Sequence, residues 1–218
     1  MSKNSESGSA LRRRPSQGRA KDTVNRAESA AGQILAESGY AALSMGSIAD
    51  RIGVSKGTLY QYFPNKESVV AAVVAEIMDD LVTSFGERLR ETLAGGAVTL
   101  GPELLASVFA ELDRYRPTLT AVLDGAPHLL PASAFDPISQ RWGDATRTLL
   151  AIGARNAAGA DRVAVDGEAL VTILSVCGPA LCLHYLSADL RDQREALART
   201  YFSMAYGGLT AAGLNPLV

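Results

Sequence analysis

Apolar residues recur along this chain at steps of three and four, the spacing that puts them on one face of a helix. Over 21–38, Val24, Ala27, Ala31, Ile34 and Leu35 share a face; Asp22 or Thr23 can cap the start and Gly39 suits the position just past the end. From 66 to about 93 a longer stripe runs through Val69, Val70, Val73, Val74, Ile77, Met78, Leu81, Phe85 and Leu89. It predicts one rod of roughly 40 Å, broken by Gly95-Gly96. Between these two lies a tighter pattern over 44–66, SMGSIADRIGVSKGTLYQYFPNK. Ile48, Ala49 and Ile52 share a face behind the good N-cap Ser44, and Gly53 supplies a permissive helix end. A second short helix over 55–62 then buries Leu59, with Phe63 beside it. Lys56, Thr58, Tyr60, Gln61 and Tyr62 are left outside, Pro64 stops the helix, and Asn65 caps the rod.

Past residue 101 the periodicity stays helical. Pro102 suits a helix start, and Leu104, Leu105, Val108, Phe109 and Leu112 carry an apolar face to about Tyr115. Pro117 is expected to open a separate short helix with Leu119, Val122 and Leu123, ending at Gly125. Residues 126–137 hold three prolines and read as a loop. A helix over 135–153 carries Ile138, Trp142, Leu149 and Leu150. Residues 170–186, LVTILSVCGPALCLHYL, are apolar nearly all round. That stretch falls short of the ~20 residues of a membrane span and contains His184 and Gly178-Pro179, so a buried helix kinked at Pro179 is expected. The last helix, over 192–212, lines up Leu197, Tyr201, Met204, Ala205 and Leu209.

Charge changes the picture more than composition does. The 218 residues are 47% hydrophobic and 20% charged, with a formal net charge of −2. Residues 1–70, however, hold ten Lys/Arg against six Asp/Glu, a net of +4, while the remainder holds 11 against 17, a net of −6. Positive charge is thus concentrated beside the short helices, where polyanion phosphates can be met. Residues 1–20 are Ser/Arg/Gly-rich and are expected to be disordered in isolation; Arg12-Arg13-Arg14 is either a solvated tail or a basic arm reaching a groove beside the short helices. Two cysteines, Cys177 and Cys182, cannot make a disulfide framework, so a reducing, cytoplasmic setting fits, and no apolar signal segment precedes the first helix.

Two short helices around a tight turn, the second roughly 12 Å long, match the width of the B-DNA major groove. Ile48-Ala49, Gly53-Val54-Ser55, Gly57-Thr58-Leu59-Tyr60, Tyr62-Phe63 and Asn65-Lys66, with Gly39-Tyr40 ahead of Ser44-Met45, resemble the TetR family of bacterial transcriptional regulators. The resemblance covers 21–70 by specific motifs and the remainder by architecture. It implies an all-α fold: a three-helix DNA-binding unit with a helix-turn-helix, joined by a long helix to a C-terminal helical ligand-binding and dimerisation domain. The corresponding division is 1–20 tail, 21–66 DNA-binding domain and 67–218 helical domain.

The same resemblance implies roles for particular residues. Lys56 is the first candidate to read a base, with Gly57 allowing close approach and Thr58 offering a methyl and a hydroxyl. Tyr60, Gln61 and Tyr62 mix phosphate and edge contacts, while Ser44 and Lys66 bind phosphate. Gly46 stands where some members place a base-reading arginine. Helices over 166–187 and 192–212 are expected to pair with a second copy, through Leu197, Tyr201, Met204, Ala205 and Leu209. Phe85, Phe109, Trp142, Leu174 and Tyr185 are candidate walls of an apolar pocket.

No triad, phosphate loop or paired carboxylate is legible, and His128 and His184 are too few for a metal centre. The expectation is therefore a non-enzymatic homodimer without cofactor or metal, binding double-stranded operator DNA away from any membrane. It is read as a repressor released by an unidentified, mainly apolar small molecule. The alternative is a DNA-bound regulator whose second domain only dimerises or meets a protein partner.

Overall fold

The computed structural model describes residues 14–94, 102–156 and 166–211. Eight α-helices follow one another among these residues, with no strand: α1 Arg14–Ala42, α2 Met45–Ile52, α3 Lys56–Tyr60, α4 Lys66–Ala94, α5 Pro102–Gly125, α6 Asp136–Asn156, α7 Gly167–Ser187 and α8 Arg194–Ala211. The all-α reading holds, and so does the long α4 leading out of a helix-turn-helix. The Gly95-Gly96 break and Arg12-Arg13 lie outside the described residues.

Local chemistry accounts for the N-terminal elements. Ser44 caps α2 by accepting from Ser47 N at 3.0 Å, while Ser47 Oγ accepts from Ser44 N at 2.9 Å. Gly53 ends α2 in the left-handed region at φ 71, ψ 37. Asn65 Oδ1 accepts from Ser68 N at 2.8 Å and so starts α4. Gly39 breaks α1 at φ 76, ψ 175, a conformation open in practice only to glycine, and one further turn carries the chain to Ala42. At its other end α1 begins at Arg14, so residues 14–20 extend the helix where a disordered tail was expected. Pro15 falls in the first turn, where its missing N–H costs nothing.

One apolar core runs from α1 through α8. Ala27, Ala31, Ile34 and Leu35 of α1 meet Ile48 and Ile52 of α2, Leu59 of α3 and Val69, Val70 and Val73 of α4, all buried. Arg26 donates from Nη2 to the carbonyl of Ile52, and Arg51 pairs with Glu37 at 2.8 Å, fastening α2 to α1 from both sides. Further along, α4 packs through Ile77, Leu81 and Phe85 into the second half of the chain.

Pro117 does not divide α5, contrary to the sequence expectation. The helix is continuous over 24 residues because Leu112, Arg116, Thr118, Leu119 and Val122 are buried around the proline. That burial outweighs the ~3 kcal/mol a mid-helix proline costs. The stretch expected as a loop over 126–137 instead holds two short 3-10 turns, Pro127–Leu129 and Ala132–Phe135, and then the first two residues of α6. Helix α7 also differs from expectation. It is long and apolar enough to cross a membrane by length and composition alone, yet only one side of it is buried. Leu170, Val171, Leu174, Tyr185 and Leu186 face the core; Ile173 and Val176 are 58% and 66% exposed.

Candidate nucleic-acid interface

Leu59 anchors the short helix α3: it is fully buried while its neighbours face outward. Lys56, Gly57, Gln61 and Tyr60 are exposed, Tyr60 by 53%, and Tyr62 by 37%. Two large aromatics left bare beside a lysine make poor structural sense unless something flat and anionic is to be met. Thr58 is half-buried, its hydroxyl 2.9 Å from Ser55 Oγ, and its amide donates to Ser55 Oγ at 3.0 Å. Its side chain thus serves the helix cap and presents mainly its methyl.

Lys56 lies across Gly46. A Cβ placed on Gly46 would sit 2.8 Å from Lys56 Cε and 3.0 Å from Nζ. The missing side chain at 46 therefore lets the lysine fold over the start of α2, and the two positions share one patch of surface.

Ser44, Gly46, Lys56, Tyr60, Asn65 and Lys66 line one open notch of about 440 Å³. The α4 N-terminus, with its unsatisfied N–H groups, opens onto this notch, so both dipole and lysine charge favour a phosphate there. Lys66 is held at the back: its Nζ lies 4.0 Å from the centroid of the Tyr40 ring and donates to the Leu43 carbonyl at 3.5 Å. An ammonium has three donors, so two remain for an oxygen arriving from outside. Burial, and then the neighbouring Glu67, push the Tyr40 hydroxyl above its ordinary pKa of 10.0 and keep it a donor. Of the eight residues expected to meet nucleic acid, Lys56, Gly57, Thr58 and Tyr60 lie on α3, Gln61 and Tyr62 in the turn that follows it, and Ser44 and Lys66 at the starts of α2 and α4. Helix α3 is thus shorter than the helix expected over 55–62.

Away from this face the second half of the chain encloses a small apolar cavity with about 30 Å³ of free volume, between α5, α6, α7 and α8. Trp142 and Leu174 line it as expected. Phe85, Phe109 and Tyr185 do not: Phe85 packs behind Trp142 at 5.7 Å, and Phe109 stacks on Tyr185 at 4.4 Å. Their place is taken by Leu105, Val108, Phe135, Ile138, Pro179 and Cys182. Apolarity alone does not separate wall from core, but Gly178-Pro179 within an apolar helix was the signal that marked this side. Tyr201, expected on a pairing face, turns inward instead; it lines the cavity and donates to the Leu174 carbonyl at 2.7 Å. Leu197 is half-buried against the core and Met204 is 73% exposed. The side chains of Ala205 and Leu209 lie outside the described residues.

Sequence reasoning also missed a polar cluster between α5 and α7. Arg116, buried among apolar residues, donates from Nη1 to the carbonyls of Tyr185 and Leu186 and from Nε and Nη2 to Asp113, all within 3.1 Å. Tyr185 donates to the same Asp113 at 2.7 Å; burial and that carboxylate push its hydroxyl up to about 12. The signal was present as two charges, Asp113 and Arg116, lying between the apolar positions Leu112 and Leu119.

Residues 29–73 match the family model described as bacterial regulatory proteins, tetR family. Among curated proteins, the transcriptional activator FasR of Mycolicibacterium smegmatis is 43% identical over 63 residues, 29% of each chain. The transcriptional repressor KstR2 of Rhodococcus jostii is 30% identical over 112 residues, 50% of this chain and 53% of its own. A fatty acid metabolism regulator protein of Bacillus subtilis is 36% identical over 62 residues, 28% of this chain and 32% of its own. The chain thus spans about half, or less, of the length of these relatives. Among solved structures, the fatty acid degradation regulator FadR of Bacillus halodurans superposes with a TM-score of 0.57 at 21% identity, over 86% of this chain and 96% of its own, a likeness of fold.

Proposed function

Because residues 29–73 match the family model of the tetR bacterial regulatory proteins, we propose that the whole protein is a member of that family, a homodimeric, sequence-specific DNA-binding regulator in the cytoplasm. On this reading it is a repressor that leaves a palindromic operator when a mainly apolar small molecule enters the helical domain. The observation that carries it is α3 and the turn after it: bare Lys56 and Tyr60 on a helix held by fully buried Leu59, and bare Gln61 and Tyr62 just beyond it, beside a lysine-lined notch. Lys56 reads a base edge, Thr58 and Gly57 approach the groove, and Ser44 and Lys66 take phosphates.

The cavity supports the effector side of the reading. Its lining is almost wholly apolar, and its 30 Å³ is far below the ~300 Å³ of a small ligand pocket. An effector therefore enters only by spreading α5, α6, α7 and α8, and that displacement is the source of coupling. A hundredfold change in operator affinity needs only about 2.7 kcal/mol. The Bacillus subtilis relative regulates fatty acid metabolism by its name, and an acyl chain has the slim apolar shape such a slit admits. The relatives include an activator as well as a repressor, and the sign here depends on where the operator lies.

Selection of bound sequences from random duplexes, at two salt concentrations, tests the proposal. A palindrome with half-sites about one helical turn apart is the expected result. Binding without any motif would sink it. A fatty acyl probe that leaves the melting temperature unchanged would favour the ligand-independent alternative.

A further inference from the structure

Tyr40 sits where three parts of the chain meet. The turn at Gly39 directs its ring onto the start of α4, where Lys66 Nζ lies 4.0 Å from the ring centroid and Glu67 accepts from the Tyr40 hydroxyl at 3.3 Å. The root of the same ring rests on Gly125, the last residue of α5. A Cβ there would fall 2.4 Å from Tyr40 Cβ, 2.6 Å from Cγ and 2.7 Å from Cδ1. Contacts that short do not occur, and these are not the far end of a flexible side chain. With any other residue at 125, the ring or the helix end must move.

We propose that Tyr40 is a positioning residue for phosphate binding by Lys66, and that its seat on Gly125 links that lysine to the cavity-lining helix α5. The inference rests on the DNA-binding reading above. A lysine is a point charge on a flexible stem, and the negative face of an aromatic ring holds it in place before a phosphate arrives. The other end of the linkage is in α5 itself. Leu105 and Val108 line the cavity near its start, and Gly125 closes it 20 residues on, roughly 30 Å along a rigid helix. Spreading the cavity walls displaces this rod, and the backbone of Gly125 at its far end bears directly on the ring under Lys66. Helix α4 offers the recognition unit a mount; α5 offers the phosphate contact a separate control.

The test uses the full chain, a fluorescein-labelled mixed-sequence duplex that reports phosphate contacts alone, and anisotropy titrations across a salt series. Lys66→Ala sets the reference, lowering the slope of log affinity against log salt by about 1. Tyr40→Leu is expected to lower it by the same amount, Tyr40→Phe to restore the native slope, and Gly125→Ala to behave as Tyr40→Leu does with residues 40 and 66 untouched. Tyr40→Leu placed on Lys66→Ala is expected to add nothing. A native slope in Tyr40→Leu, or a loss that simply adds to that of Lys66→Ala, overturns the inference while leaving the regulator reading intact. Should Tyr40→Leu fail to fold, Gly125→Ala decides: a native slope there overturns the inference, a lowered one supports it. Wild-type protein that shows no salt-dependent duplex binding overturns both.

Discussion

Arg116 donates from Nη1 to the carbonyl oxygen of Leu186 at 2.9 Å, closing the end of α7 from a position 70 residues earlier in the chain. The same guanidinium reaches the Tyr185 carbonyl, holds Asp113 at 3.0 Å and lies 4.7 Å over the Tyr185 ring. Every donor it uses meets an acceptor inside the protein, which is how a nearly buried charge is tolerated.

Removing it leaves two helix-end carbonyls without their donor and Asp113 with only Tyr185 and Arg194 as partners. Arg116→Ala is expected to lower the unfolding free energy by about 3 kcal/mol, the scale for breaking a buried ion pair from one side. Arg116→Lys keeps the charge but not the fork and should fall between. Urea midpoints at unchanged m-value measure this; a loss below about 1 kcal/mol would mean that water takes over the acceptors.

At the other end of the molecule, Lys56→Ala is expected to cost about 1–3 kcal/mol on a selected operator and to blur one base position. Tyr60→Ala should weaken binding more evenly across sequences. Repeating the duplex selection with each variant separates the two. If both recovered the wild-type motif with wild-type affinity, α3 would not be the reading helix.

The parts of this fold that were legible in the sequence are those governed by neighbours a few residues apart. Ser44, Gly53, Pro64 and Asn65 each do a local job, and the caps and turns formed where they stood. Leu59 was visible as the sole apolar residue in its helix. Pro117 shows the limit: its local signal says break, but Leu112, Leu119 and Val122 bury the helix on both sides of it, and only the tertiary partners reveal that. Tyr201 shows another. An apolar stripe tells which face of α8 is covered, not whether the cover is its own Trp142 and Leu174 or a second chain. Tyr40 was legible as a motif residue, whereas its contact with Gly125 joins positions too far apart for any pattern to suggest.

Stability should also respond to pH through Glu28. Burial, and then the facing Glu76, raise its carboxyl above the ordinary 4.5. The native state therefore keeps this proton to higher pH than the unfolded chain does. Between the two pKa values the folded protein binds more protons, so stability falls as pH rises through that window. Glu28→Gln removes the titration. It should be more stable than wild type at neutral pH and lose that advantage as pH drops through 4.5. An equal difference at both pH values would assign the effect to packing instead.

The bare side of α7 makes the last prediction. Ile173 and Val176 are exposed large apolar residues on a helix whose other side is core, and Thr172, Cys177 and Ala180 share their face. Exposed apolar side chains grouped on one helix mark a surface to be covered, and a second copy is the proposed cover. Val176→Glu puts a charge into that seam, so sedimentation should show it shifting the protein toward monomer at concentrations where wild type is dimeric. Thiol labelling gives an independent readout. Cys182 is buried and its thiol pushed up to about 12, so it should stay unlabelled in both proteins until they unfold. Cys177 is open in the single chain and should react slowly in the wild-type dimer but quickly in Val176→Glu. Equal labelling of Cys177, with equal sedimentation, would place the pairing surface elsewhere.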